Sequence, residues 1–423
     1  MPVLSVLGER LRSRLWPIPA AAAAASAVVA ALLAGVRPGA GEGPVWWPGE
    51  PESARGLLEV LAGSSLTVVA LVFSLQVVAL QLAASQYSPR LLRTYARDGW
   101  IQGSLAVLLS TFVFSLVTLA LFGAVDRPPR VSVAVAVVLG LASVGALVGV
   151  VAHIVSTLRV ETMMAEIHDD ADSVIEGAYD STVGPEPARW PPLDRRDAEP
   201  GHVRADSPGF VQAVDRARIA AWADNHDCYV TLVVMPGTHV LAGDLLAHVW
   251  PADEDGSAVA GAVLVGFERT PDEDPAFGLV QLVDIAMRAL SPSVNDPTTS
   301  VHAIGHLAPL LASIAERAAG PVRRTDGDGT LRVLEPVPRL DDLLGDVVRP
   351  VARSAGDHVP VLLALLAMLE HVADRGPRAA AAVATEADYV ARRAKSSVAD
   401  AGERAVVLAR AARLADGERL TEP

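Results

Sequence analysis

Residues 131–157 read VSVAVAVVLGLASVGALVGVVAHIVST, 27 positions without one Asp, Glu, Lys or Arg. A helix rises about 1.5 Å per residue, so such a run is long enough to cross roughly 30 Å of hydrocarbon. A charged side chain at that depth costs on the order of 3 kcal/mol, which makes its absence informative. Three further runs share the property across their middles: residues 17–36, 57–85 and 101–123. The expected fold class is therefore an α-helical polytopic membrane protein with four transmembrane helices in residues 1–160. A cytoplasmic α+β part should follow, a small β-rich module and then a helical domain.

Charge divides the 423-residue chain at the same place. Residues 1–160 carry a net +4 and the remainder −18, within an overall −14. So acidic a soluble part is repelled by phosphate, which argues against nucleic acid as a partner. Cys228 is the sole cysteine, so neither an intrachain disulfide nor a thiolate metal cluster can form. Arg10, Arg12, Arg14, Arg90, Arg93 and Arg97 lie on one side of the four spans. Arg37, Arg55, Arg127 and Arg130 lie on the other. The arginine-richer side is the cytoplasmic one, so both termini are expected inside the plasma (inner) membrane. Arginines before an alanine-rich core also suit a cleavable signal peptide. The lack of cysteine pairs for an external domain favours a retained anchor.

The spans carry uncharged polar stripes. Thr67, Ser74, Gln81 and Ser85 share a face of the second span, and Ser104, Thr111, Ser115 and Thr118 one of the third. They serve either as glue between helices or as the lining of a hydrated path. Gly145, Gly149 and His153, four apart in the last span, favour close helix contact. No Gly or Pro interrupts residues 150–176, so the last span is expected to continue unbroken as a helix of about 45 residues through an acidic segment, 161–181. Val160, Met163, Met164, Ile167, Ala171, Val174 and Ala178 form its apolar face. Glu166, Asp169 and Asp170 stand opposite, either as a solvated face or as a cation vestibule below a pore.

A Pro-rich linker, 182–208, leads to the β-rich module, 209–270. Its candidate strands are 210–214, 229–235, 239–241, 245–250 and 259–267. Within the helical part, 271–423, Asp274-Pro275 and Asp296-Pro297 each place an acid before a proline, as at helix starts. A DGDG turn after Arg324 predicts a hairpin whose return strand begins at Leu331. The segment SPSVNDP, 291–297, should be a structured helix–helix connection rather than a catalytic loop. His302 and His306 stand four apart, but no glutamate follows the first as in a zincin helix, so they are weak metal candidates and no cofactor is assigned. Neither a Walker loop, a dinucleotide fingerprint nor a nucleophile elbow is present.

The stretch VTLVVMPGTHVLAGDLLAHV, 230–249, resembles half of a biotinyl/lipoyl barrel, but the only lysine, Lys395, lies far from it. Two longer stretches, VVALVFSLQVVALQLAASQYSPRLLRTYARD (68–98) and PAFGLVQLVDIAMRALSPSVNDPTTSVHAI (275–304), resemble the bacterial membrane proteins grouped as domain of unknown function 2254. That resemblance marks Ser85, Gln86, Pro89, Arg90, Ser291, Asn295, Asp296 and Pro297. It implies a four-helix membrane portion with a cytoplasmic C-terminal part, and no activity. Three functions compete on the residues. The first is a non-enzymatic, membrane-anchored sensor or scaffold. The second is a homo-oligomeric cation channel, with inorganic cations as partners beside the lipid bilayer. The third is a metal-dependent membrane enzyme.

Overall fold

The computed structural model describes residues 16–35, 51–86, 99–122, 130–157, 159–179, 199–252, 256–317 and 320–415. The chain forms two units that divide after Thr162.

The first unit holds helices α1 (Pro17–Gly35), α2 (Pro51–Gln86), α3 (Gly99–Phe122) and α4 (Arg130–Thr157). Three of these, α2, α3 and α4, are long and apolar enough to cross a membrane; the apolar part of α1, Pro17–Leu33, is shorter. Helix α3 packs against α1, α2 and α4 and is the most enclosed of the long ones. Two apolar layers set the order of the bundle. Ala30, Leu58, Phe114 and Val133 join the end of α1, the start of α2, the end of α3 and the start of α4. Val72, Leu105 and Val150 do the same at the opposite end of α2, α3 and α4. Close approach is local: a Cβ at Gly140 would stand 2.7 Å from Leu61 Cδ2. Gly149 leaves room for the Trp100 ring, which also stacks on His153 at 6.2 Å.

The expected continuous helix is two helices. Helix α4 ends at Thr157, Arg159 is non-helical, and α5 begins at Val160 and runs to Tyr179. No Gly or Pro marks the break. Met163, Met164, Ile167, Ala171, Ile175 and Tyr179 are the buried face of α5. The face turns one position from the expected stripe at its far end, taking Ile175 and Tyr179 in place of Val174 and Ala178.

In the second unit, β1 (Gly201–Arg204), β2 (Gly209–Val214), α6 (Arg216–Asn225), β3 (Tyr229–Leu232), β4 (His239–Val240), β5 (Leu245–Trp250), the turn α7 (Ser257–Ala260) and β6 (Val263–Gly266) come first. Helices α8 (Phe277–Ala289) and α9 (Pro297–Arg317), strands β7 (Val322–Thr325) and β8 (Leu331–Glu335), and helices α10 (Leu340–Ala355), α11 (Val359–Arg375), α12 (Ala380–Ser397) and α13 (Ala401–Ala415) follow. The strands form two sheets, β1-β5-β3-β8-β7 and β4-β2-β6. Their inward residues Val211, Val230, Leu246, Val249, Val263 and Val333 share one core with Ile219 and Ala223 of α6.

Several expected boundaries move. The tail of the expected linker is a strand, β1, antiparallel to β5. Of the expected strand 259–267, residues 259–260 are helical, in α7, and 261–262 a turn, so β6 begins only at Val263. The DGDG hairpin forms as β7 and β8, yet β8 lies parallel to β3, so the sheet draws on residues far beyond position 270. The barrel-like stretch is divided, with β3 and β5 in the larger sheet and β4 in the smaller.

Candidate functional site

The second unit carries a cleft of about 710 Å³. Its walls are the Met235–Thr238 turn, Arg269 with Asp274 and Ala276, the Pro336–Leu343 segment that enters α10, Ala315 of α9, and Arg378 with Ala379 after α11. Asp274 anchors it. Its side chain is only 1 % exposed, yet it receives Arg269 Nε at 2.5 Å, Arg269 Nη2 at 3.1 Å and the Ala276 N–H at 3.0 Å. A buried carboxylate is stable when its oxygens are bonded in this way. Arg269 also lies over the Phe277 ring at 5.6 Å. Helix α8 begins at Phe277, with Ala276 as an N-cap that makes no side-chain capping bond, so it starts two residues later than Asp274-Pro275 predicts; the Asp274 side chain accepts from the Ala276 N–H instead.

The turn at Pro236-Gly237 requires glycine twice over. Gly237 has φ +90°, and a Cβ there would strike the Asp274 carboxylate and come within 3.0 Å of Arg269 Nε. On the opposite wall, Tyr179 of α5 donates to the Pro338 carbonyl at 2.9 Å. Burial, and secondarily the Asp274 charge, push the Tyr179 phenol well above its ordinary value, so it stays a neutral donor. Beside the cleft, Arg216 bridges Glu273 (2.5 Å) and Glu335 (2.8 Å), tying β8 to the segment before α8. Burial opposes the Arg216 charge, but the bonds to Glu335 and Glu273 outweigh it and raise its pKa. At the close approach of α9 to the end of α11, a Cβ on Gly376 would lie 2.6 Å from Ala315 Cβ and 3.0 Å from its carbonyl oxygen.

The lining mixes both signs of charge with apolar surface. Arg339 and Arg378 stand near Asp341, Asp342 and Asp346, among Met235, Leu343 and four prolines. It contains no His, Cys, Ser or Lys. Such a cleft can hold a small molecule bearing both a cation and an anion.

The residues singled out from the sequence are distributed elsewhere. The α2 stripe, Thr67, Ser74 and Gln81, is exposed on the outside of the bundle, while the side chain of Ser85 lies outside the described residues. The α3 stripe is the reverse: Ser104, Thr111, Ser115 and Thr118 are all buried. Thr111 Oγ1 meets Ser143 Oγ at 2.7 Å and the carbonyls of Val107 and Leu139. The two stripes therefore do not face one common path within the bundle. Glu166, Asp169 and Asp170 are exposed on α5. Partial burial, then Asp169 and Asp272, raise the Asp170 pKa.

In SPSVNDP, Asp296 accepts from Thr299 N at 3.1 Å and Thr299 Oγ1 at 2.6 Å, which caps α9 and lowers the Asp296 pKa. Pro297 is the first residue of α9. Asn295 holds φ +51°, a conformation asparagine tolerates, and its Oδ1 accepts from His358 Nε2 at 3.0 Å. His302 is exposed and His306 half-buried on α9. Among the described residues, no three His, Cys, Asp or Glu side chains converge as a metal site. Gln86 closes α2, and Pro89 and Arg90 lie outside the described residues. The cleft itself has no linear motif, since its walls come from five separated segments. Two sequence signals touch it: Asp274-Pro275, and the barrel-like stretch that holds the Met235–Thr238 turn.

A family model described as "Predicted membrane protein (DUF2254)" matches residues 12–371. The chain belongs to that family. Relatives include uncharacterized proteins of Mycobacterium tuberculosis (strain ATCC 25618 / H37Rv) and Mycobacterium bovis, each 33 % identical over 422 residues, 96 % of this chain and 81 % of the relative. No solved structure matches.

Proposed function

We propose that this is a membrane-anchored, non-enzymatic sensor or scaffold whose soluble unit binds a small amphoteric ligand, of the amino-acid or short-peptide kind. The observation that carries the reading is the cleft, with its buried Arg269–Asp274 pair, its charges of both signs and its lining without His, Cys, Ser or Lys. In this reading all four apolar helices span the inner membrane. The packing of α1 on α3 supports a full share for α1 in the bundle. The arginine distribution supports cytoplasmic termini. The test is thermal unfolding of the full chain in detergent micelles against amino acids, dipeptides and charged metabolites. A compound that raises the Tm of the wild type but not of Val337→Trp, which fills the cleft, supports the reading. No stabilisation by any of them, or equal stabilisation of Val337→Trp, overturns it.

The exposed α2 stripe favours a second reading, a homo-oligomeric cation channel. Protomers turning α2 toward a shared axis would line it with Thr67, Ser74 and Gln81. Glu166, Asp169 and Asp170 would then gather cations at its mouth. Conductance in planar bilayers, abolished by neutralising these three acids together, distinguishes it from the sensor.

A further inference from the structure

Helix α5 is the first soluble segment after α4, and one side of its contact with the body is made of histidine. His168 on α5 and His306 on α9 face each other with ring centroids 5.5 Å apart, tilted by 58°. His168 Nδ1 lies 3.1 Å from the His306 carbonyl oxygen. A carbonyl only accepts, so Nδ1 carries the proton and donates. That bond survives when the ring becomes cationic; the ring-to-ring contact is what changes. His302 stands one turn before His306 on the same helix.

We propose that the His168–His306 contact is a proton-operated clasp: it holds α5 on the soluble body while His306 is neutral and loosens when His306 gains a proton. The contact around the clasp is close, and the buried apolar face of α5 flanks it on both sides. Gly278 of α8 meets Ala171 of α5 with no room for a Cβ, and Tyr179 anchors the far end on Pro338. Near the middle of the helix the histidine pair adds a polar contact to α9, and Glu176 pairs with Arg317 two turns further on. The charged groups facing His306 are His168 and Asp169 from α5 and His302 from α9 itself. Burial, then His168 and His302, lower its pKa, and Asp169 only partly offsets them. Asp170 is repelled by Asp169 and Asp272, and Asp296 faces His302.

The direction follows from linkage. A histidine whose folded pKa lies below its ordinary value of 6.5 binds protons more readily when its contact opens. The closed contact is thus fully stable above about pH 6.5 and weakens as pH falls below it. The clasp uses none of the cleft residues, so it stands apart from the ligand reading.

Hydrogen exchange of the full chain in detergent micelles tests the clasp at pH 7.5 and 5.5, with rates corrected for chemical exchange. Peptides covering 160–179 should lose protection at the lower pH. Peptides from α11 should hold theirs. His168→Gln with His306→Gln should abolish the loss. His302→Glu, at an exposed position that leaves the core intact, should reduce it by placing a counter-charge beside His306. Unchanged wild-type protection in 160–179, or a His302→Glu chain that loosens as much as wild type, overturns the proposal.

Discussion

Replacing Gly376 with alanine should destabilise the second unit, whereas the same change at Gly305 should stabilise it. Gly376 follows α11 at φ −125°, a backbone any residue adopts, so the cost is steric alone. The new Cβ would lie 2.6 Å from Ala315 Cβ, 3.0 Å from its carbonyl oxygen and 3.1 Å from its carbonyl carbon. Two of those atoms are backbone inside α9 and the third is fixed to it, so no side chain can swing away. Relief requires α9 and the end of α11 to separate by about 1 Å in a close-packed interior. Overpacking of this kind costs about 1–3 kcal/mol, and the reduced freedom of the unfolded chain returns about 0.4–1 kcal/mol. The net expectation is a loss of about 1–2 kcal/mol, or roughly 2–6 °C in Tm for a unit of this size. A Cβ on Gly305, exposed on the same helix, meets nothing within 4 Å. There alanine should gain about 0.5–1 kcal/mol from helix propensity. Thermal unfolding of the two variants in detergent micelles measures both. Adding Ala315→Gly to Gly376→Ala should recover part of the loss, because the backbone contacts remain. A Gly376→Ala chain as stable as wild type, or one that Ala315→Gly does not rescue, would refute the packing argument.

Arg269→Leu should cost about 3–5 kcal/mol, because Asp274 is left buried without its counter-charge; Arg269→Leu with Asp274→Leu should regain most of that in the same assay. Gly237→Ala should impair the cleft more than the fold elsewhere, since it combines a φ of +90° with a clash on Asp274; ligand-induced shifts in Tm should vanish first. Asp296→Ala should cost about 1 kcal/mol at neutral pH through the lost cap of α9. The Asp296 pKa lies below its ordinary 3.8 in the folded chain, so that difference should persist above pH 3.8 and close as pH falls below it; urea titrations at pH 7 and 3 compare the two.

The features written in local pattern were legible in the sequence. Long uncharged runs give the apolar helices, the period of α5 gives four of the six residues of its buried face, and Asp296-Pro297 marks the start of α9 to the residue. What escaped was set by distant partners. The end of α4 carries no breaker, so its interruption near Arg159 could not be anticipated. Helix α6 buries little beyond Ile219 and Ala223 and sits among strands, which hid its period. Strand β1 is four residues long inside a stretch of prolines and charge, and only β5 makes it a strand. Both polar stripes looked alike along the chain, yet α3 is enclosed by three helices and α2 is not, so one is buried and the other exposed. The cleft is the extreme case, because neither the Met235–Thr238 turn nor the Pro336–Leu343 segment means anything until the β8 pairing brings them together.

That pairing has a price in time. Val230 of β3 is in register with Val333 of β8, about a hundred residues later in the chain. At a synthesis rate of about 5–20 residues per second, one flank of β3 stays open for roughly 5–20 s after it leaves the ribosome. An open strand edge invites pairing with any neighbouring strand. The nascent sheet must therefore be shielded, or its premature partners kept reversible, until the late hairpin arrives. For the same reason a fragment ending near residue 270 should associate and precipitate rather than behave as a free-standing module.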